Sequence, residues 1–135
     1  MTLEELKKVR AGRLRVKHYQ ARISALKEQQ LRLTQRMTGL IAGKNRNDQM
    51  AEYVSKLDAL EHNLMVATIE MEERMQRLDQ EVSALPEHYE KVIRLRYFDG
   101  LKWSEVAKKA GYTERYCRKI PTCIIENLDF KNRGC

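Results

Sequence analysis

The chain has 135 residues, 33% of them charged, 42% hydrophobic and only 7% aromatic, which leaves room for one long-helical unit or two small domains. No uncharged apolar run reaches the roughly 18 to 20 residues that cross a bilayer, and Met1 to Arg10 has no apolar leader core, so a membrane-spanning class is excluded and a cytoplasmic protein is expected. The formal net charge of +7 makes a polyanion the first partner to consider.

The charge is unevenly distributed. Residues 1–47 carry 12 basic and 3 acidic side chains, residues 48–85 carry 3 and 9, and residues 86–135 carry 11 and 7. A basic segment followed by an acidic one of similar length is expected to neutralise much of its charge within the molecule.

Every seventh residue from Val9 forms a stripe of Val9, Val16, Ile23, Gln30 and Met37, with Gly12, Tyr19, Leu26, Leu33 and Leu40 as its companions three residues on. The spacing predicts a long amphipathic helix with a polar, register-setting break at Gln30. A second stripe runs through Met50, Leu57, Leu64, Met71, Leu78 and Leu85, and no proline interrupts residues 1–85. Between the stripes, Gly39, Gly43, Asn45, Asn47 and Asp48 predict a loop at about 38–48, with Asp48 as a cap for the second helix. An antiparallel coiled-coil hairpin over residues 1–85 is therefore expected. The same stripes also allow two chains to join as a homodimer.

The pattern changes at Leu85-Pro86. Proline opens a further helix, along which Tyr89, Val92, Ile93, Arg96 and Tyr97 form a stripe ending at Asp99-Gly100. Ala107, Gly111, Cys117 and Ile120 then follow at offsets of four, six and three, supported by Val106 and Ala110. Two crossed helices with a tight turn need a small residue where backbones meet, a glycine in the turn and apolar residues that lock the second helix down. These offsets fit a DNA-binding helix-turn-helix over residues 86–130, leaving residues 131–135 as a tail.

With the locking positions inward, the second helix presents Thr113, Glu114, Arg115, Arg118 and Lys119, with Tyr116 at the margin. Thr113 can cap the helix N-terminus, whose free N–H groups favour phosphate. Arg115 and Arg118 can reach base edges, whereas Lys102, Lys108, Lys109 and Lys119 suit phosphates. Pro121 removes a backbone donor, so a break or kink near Lys119 to Pro121 is expected, followed by a separate turn carrying Ile124, Ile125 and Leu128 back to the core.

The run from Leu85 to Leu101, with its Leu-Pro-Glu start and its Leu-Arg-Tyr-Phe-Asp-Gly-Leu centre, followed by Trp103 to Ile120, resembles region 4 of sigma-70-type factors over about 45 residues. The layout of basic helix, loop, acidic helix and region-4-like end is similar to small phage and prophage regulators, including ArpU-type late-gene regulators. The resemblance implies a transcriptional regulator in the bacterial host cytoplasm that binds double-stranded promoter DNA, with host RNA polymerase as a contact. Lys102 stands where that family usually has Ser or Thr, and Thr113-Glu114-Arg115-Tyr116 departs from its usual opening of the recognition helix, so a binding site other than the ordinary promoter −35 sequence is expected.

The whole chain is thus expected to be all-α: a long antiparallel coiled-coil hairpin followed by a small sigma region 4-like helix-turn-helix domain. Such a domain is small for an independent core, so the hairpin is expected to pack on it or continue into it through Val82 and Leu85. His18, His62 and His88 fall in different elements, and no phosphate loop or metal-ligand spacing is present. Cys117, Cys123 and Cys135 form an odd set without CxxC spacing. No enzyme, cofactor or metal is expected. The alternatives are a coiled-coil adaptor that grips RNA polymerase or another protein without specific DNA contact, or the DNA-recognition subunit of a packaging machine.

Overall fold

In the computed structural model, residues 1–37 and 44–126 are described. All regular structure among them is helical: α1 (Leu3–Met37), α2 (Lys44–Ser83), α3 (Glu87–Ile93), which continues as a π-helical turn over Arg94–Phe98, α4 (Trp103–Ala110) and α5 (Glu114–Glu126). Residues 38–43 of the expected loop, Leu128 and the 131–135 tail lie outside the described residues. Helix α2 begins at Lys44, ahead of the expected boundary, so Asp48 lies within the helix and does not cap it. The residues around it favour helix once started, because capping preference decides an end only where no upstream residue can extend the turn.

The opening of α1 has a capping box. The Glu5 amide donates to Thr2 Oγ1 and the Thr2 amide donates to Glu5 Oε2, both at 3.2 Å. Two of the donors that every helix start leaves unpaired are satisfied in this way.

The chain divides into two compact units, one formed by Met1–Leu14 with Ile69–Cys135, the other by Arg15–Thr68. In the first unit, Leu6 and Val9 of α1 and Leu78 and Val82 of α2 enter one core with Tyr89, Val92 and Ile93 of α3, Tyr97 and Phe98 of the π turn, Val106 of α4, and Cys117, Ile120 and Ile124 of α5. Each of the larger aliphatic side chains contributes about 1.5 to 3 kcal/mol by leaving water. Chain direction is visible in the pairs: the Met1 ammonium lies 2.8 Å from Glu81 Oε2, and a Cβ placed on Gly12 would lie 3.4 Å from Met71 Cβ. The expected packing of the first two helices' ends with the C-terminal module is present in this core.

Pro86 precedes α3 in an extended conformation, and its carbonyl accepts the Glu90 amide at 2.9 Å. Proline at this point loses nothing, because its missing donor would have had no partner. In the π turn the Asp99 amide bonds the Arg94 carbonyl at 2.9 Å and the Leu101 amide bonds the Leu95 carbonyl at 3.1 Å. The widened turn carries buried Tyr97 and Phe98, and Gly100, at φ +75°, reverses the chain toward α4. Arg13 Nε of α1 donates to the Phe98 carbonyl at 2.8 Å, closing this junction from the other side.

In the second unit, Val16, Ile23 and Ala67 are buried, while Tyr19, Leu26, Gln30, Tyr53, Leu57, Leu60 and Leu64 are half-buried. Leu33 and Met50, both stripe residues, remain exposed. The apolar stripes of this unit are thus buried only in part, and their margins stay in contact with water. Ion pairs within single helices, Arg32 to Glu28 at 2.7 Å and Lys56 to Glu52 at 3.0 Å, join residues four apart on the solvated faces. Exposed pairs of this kind contribute about 0.3 to 0.5 kcal/mol each.

Helix α5 continues through Pro121 to Glu126, which corrects the expected end of the helix there and the separate turn after it. The Cys117 carbonyl forgoes the amide it would have received from residue 121, yet Cys117, Ile120, Pro121 and Ile124 are all buried along the same side of the helix. Keeping that apolar side continuous outweighs one lost hydrogen bond, since the burial of several side chains exceeds the roughly 3 kcal/mol that an interior proline costs. Ile124 reaches the core as expected, but as part of α5. The side chain of Ile125 lies outside the described residues. Among the described residues no helix is long and apolar enough to cross a membrane.

Candidate nucleic-acid interface

Helices α4 and α5 are joined by Gly111-Tyr112-Thr113. Gly111 stands at φ +81°, and its amide and that of Tyr112 both bond the Ala107 carbonyl, at 2.9 and 3.3 Å. This closes α4 with a left-handed residue that glycine adopts without the clash a Cβ would bring. Thr113 Oγ1 then accepts the Tyr116 amide at 3.2 Å, so Thr113 caps the start of α5. Val106, Cys117 and Ile120 lie beneath the pair, fully buried.

The outward side of α5 carries exposed Arg115, Arg118 and Lys119. Their spacing of three and four residues places them on one face. Glu114 is half-buried and engages Arg118: its Oε1 accepts Nε at 3.2 Å and Nη2 at 2.5 Å. Arg118 is thus held toward the start of α5 through its Nε and Nη2, and its Nη1 is not engaged by Glu114. Tyr116 is half-buried, its ring centroid 5.1 Å from that of Tyr112, and burial raises the pKa of its hydroxyl. It packs against the core margin more than it stands out from it.

The lysines separate along α4. Exposed Lys102 precedes its first turn without a side-chain cap, while exposed Lys108 and Lys109 occupy its last turn, where their charge complements the helix dipole. Thus the structure brings Thr113 to Tyr116, Glu114 to Arg118, and Arg115, Arg118 and Lys119 to one face, and it sets Lys102 at the far end of α4 from Lys108 and Lys109.

Arginines that the sequence reading did not single out gather at the junction of α1, the π turn and α4. The Arg96 guanidinium stacks 4.5 Å from the Trp103 ring centroid, and its Nη1 donates to the Leu101 carbonyl at 3.0 Å. Burial lowers its pKa, and the neighbouring charges of Arg10 and Arg118 act in the same direction. Arg94 is differently placed: burial opposes its charge, but Glu90 and Asp79 outweigh this and hold its pKa above the ordinary value. Arg96 occurs in the sequence as a member of a helical stripe, and that spacing carries no sign that it is cationic neighbour to Arg10, 86 positions away in the chain.

Among the described residues no group of three or more His, Cys, Asp and Glu side chains is placed to hold a metal ion. Burial raises the pKa of the Cys117 thiol, with the charge of Glu114 adding to the effect. That is the opposite of what a nucleophilic or metal-binding thiolate needs. No family model, no curated protein and no solved structure matches the chain.

Proposed function

We propose that the chain is a sequence-specific double-stranded DNA-binding transcriptional regulator, an activator of phage or prophage late genes that acts at promoters with host RNA polymerase. In this reading α4 and α5 are a helix-turn-helix, α5 is its recognition helix, and α1 and α2 form an antiparallel coiled-coil hairpin. The observation that carries it is the pairing of an exposed Arg115, Arg118 and Lys119 face with a glycine turn at φ +81° and a locked inner side of Val106, Cys117 and Ile120. A helix held on its inner side and cationic on its outer side can enter a major groove and read base edges from its N-terminal half. The resemblance of residues 85–120 to sigma region 4 supports the same reading.

Arg115 and Arg118 are the base readers, Thr113 and the first turn of α5 face a phosphate, and Lys102, Lys108, Lys109 and Lys119 add affinity without sequence information. Glu114 keeps Arg118 ordered until DNA replaces it. The test is a mobility-shift series on duplexes from the protein's own operon and from late promoters. Arg118→Ala is expected to cost about 1 to 3 kcal/mol on the preferred duplex and to relax base preference at one position. Unchanged affinity and preference in that variant would remove α5 as the reading helix. Specific binding without any effect on transcription would move the assignment to DNA packaging.

A further inference from the structure

In the unit formed by Arg15–Thr68, only Val16, Ile23 and Ala67 are buried among the described residues. Its α1 and α2 segments are neighbours along a groove lined by Ala25 and Leu26 from α1 and Ala59 and Leu60 from α2, among others. A second apolar face runs along α2. Met50, Val54, Leu57, Glu61, Met65 and Thr68 follow at steps of three and four and so share one side of the helix. Met50 is 43% exposed, Val54 46% and Met65 55%. A single exposed apolar side chain needs no explanation, but a stripe of them along about 27 Å of helix, at 1.5 Å per residue, does.

Helix α1 has a comparable face. Gln20, Ser24, Lys27 and Leu31, again three and four apart, are all exposed, Leu31 to 58%. On each helix the groove residues lie to one side of an inward position, Ile23 on α1 and Leu64 on α2, and this face lies to the other side. Both faces therefore open on the side of the unit away from the groove. Each carries one charge, Lys27 on α1 and Glu61 on α2, and neither forms an ion pair among the described residues, although Arg32 and Lys56 of the same unit do.

We infer that this side of the unit is the contact between two copies of the chain, the α2 stripe of each copy receiving the α1 face of the other. A twofold axis makes both contacts at once, because each copy offers the same self-complementary pair of faces. Charge selects this pairing over α1 on α1. Residues 15–37 carry six basic and one acidic side chain, and residues 48–68 carry one basic and four acidic, so crossing the helices sets opposite signs together. Lys27 of each copy then faces the stripe that holds the partner's Glu61. Four helices enclose what two leave open, with Leu31, Met50, Val54 and Met65 turned inward. On the proposed DNA reading, two copies carry two α5 helices, and the preferred duplex has two half-sites related by the same twofold.

Sedimentation equilibrium of the full chain without DNA tests this. The unaltered chain is expected at twice the 15.9 kDa of one copy. Val54→Glu combined with Met65→Glu is expected to run as a monomer, whereas Ser55→Glu, on α2 but off the stripe, stays a dimer. Circular dichroism and thermal melting report folding, and both variants are expected to keep their helix content because the altered positions are exposed. Glu61→Lys is expected to weaken self-association about tenfold or more, and adding Lys27→Glu to it is expected to restore the dimer. A mass of one chain at every concentration overturns the inference. So does a folded Val54→Glu/Met65→Glu variant that remains a dimer, a Ser55→Glu variant that is a folded monomer, or a Glu61→Lys variant that Lys27→Glu does not rescue.

Discussion

Cys117 shows how one residue links spacing, packing and chemistry. Its position three residues before Ile120 marked it in the sequence as a locking residue, and it is fully buried in the core with Ile120 and Val106. Burial raises the thiol's pKa, as it does for the Tyr97 hydroxyl. For both groups the folded state holds its proton more tightly than the unfolded chain, so the stability they contribute is fully present below the unfolded pKa. It is lost as pH rises through the higher folded value. Urea midpoints are therefore expected to fall as pH is taken from 8 toward 10.5, and a midpoint that stays level across that range would contradict the assignment. Peptide mapping after exposure to a thiol reagent at pH 7 is expected to find Cys117 protected in the folded chain and modified in urea. Cys117→Ser places a hydroxyl where the sulfur sits and is expected to cost about 1 to 3 kcal/mol in urea unfolding.

At the scale of the elements, the two positive-φ glycines separate conformational strain from crowding. A Cβ at Gly111 would meet nothing within 4 Å, whereas one at Gly100 would come within 3.0 Å of Arg13 Cγ. Gly111→Ala is therefore expected to cost only the left-handed penalty, about 1 to 2 kcal/mol. Gly100→Ala is expected to cost more, because α1 must shift its Arg13 strut as well. Equal urea midpoints for the two variants would show that the α1 contact at Gly100 contributes little. Helix ends proved less legible than helix faces. The seven-residue stripes located α1 and α2, because an apolar face repeats over many turns. Asp48 and Pro121, in contrast, were read as boundaries from local preference, and both lie inside helices. At Pro121 the deciding factor was the buried side formed by Cys117, Ile120, Pro121 and Ile124, which becomes visible only when the core that receives it is known.

For the whole molecule, the compact unit that holds the candidate interface draws on both ends of the sequence. Leu6 is fully buried in its core, so Leu6→Ala is expected to lower stability by about 2 to 5 kcal/mol. A peptide of residues 86–135 alone lacks Leu6, Val9, Leu78 and Val82 and is expected to show no cooperative melting. Such a peptide melting like the full chain would show that the core does not depend on α1 and α2. The complementary experiment replaces Arg15–Thr68 with a short Gly/Ser linker. Because Gly12 and Met71 are adjacent, the remaining unit is expected to retain its core and to melt cooperatively. Loss of the transition would mean that Arg15–Thr68 contributes more than connection. The net charge of +7 is informative only at this scale. Most of the excess lies in the first 47 residues, and the tertiary structure sets Arg10 and Arg13 from that block beside the α3–α4 junction, where a segment count cannot place them.

The sequence by itself determined that the chain is helical, where its two long apolar stripes run, and that Cys117 and Ile120, with Val106 in support, turn toward a core. Each of these follows from periodicity within one element, where 3.6 residues per turn fix which side chains share a face. Tertiary structure alone decided that α1 and α2 donate Leu6, Val9, Leu78 and Val82 to the C-terminal core, that α5 continues through Pro121, and that Arg10 stands near Arg96. Those outcomes depend on which faces meet across distant parts of the chain, and a periodic pattern describes a face without naming what it will touch.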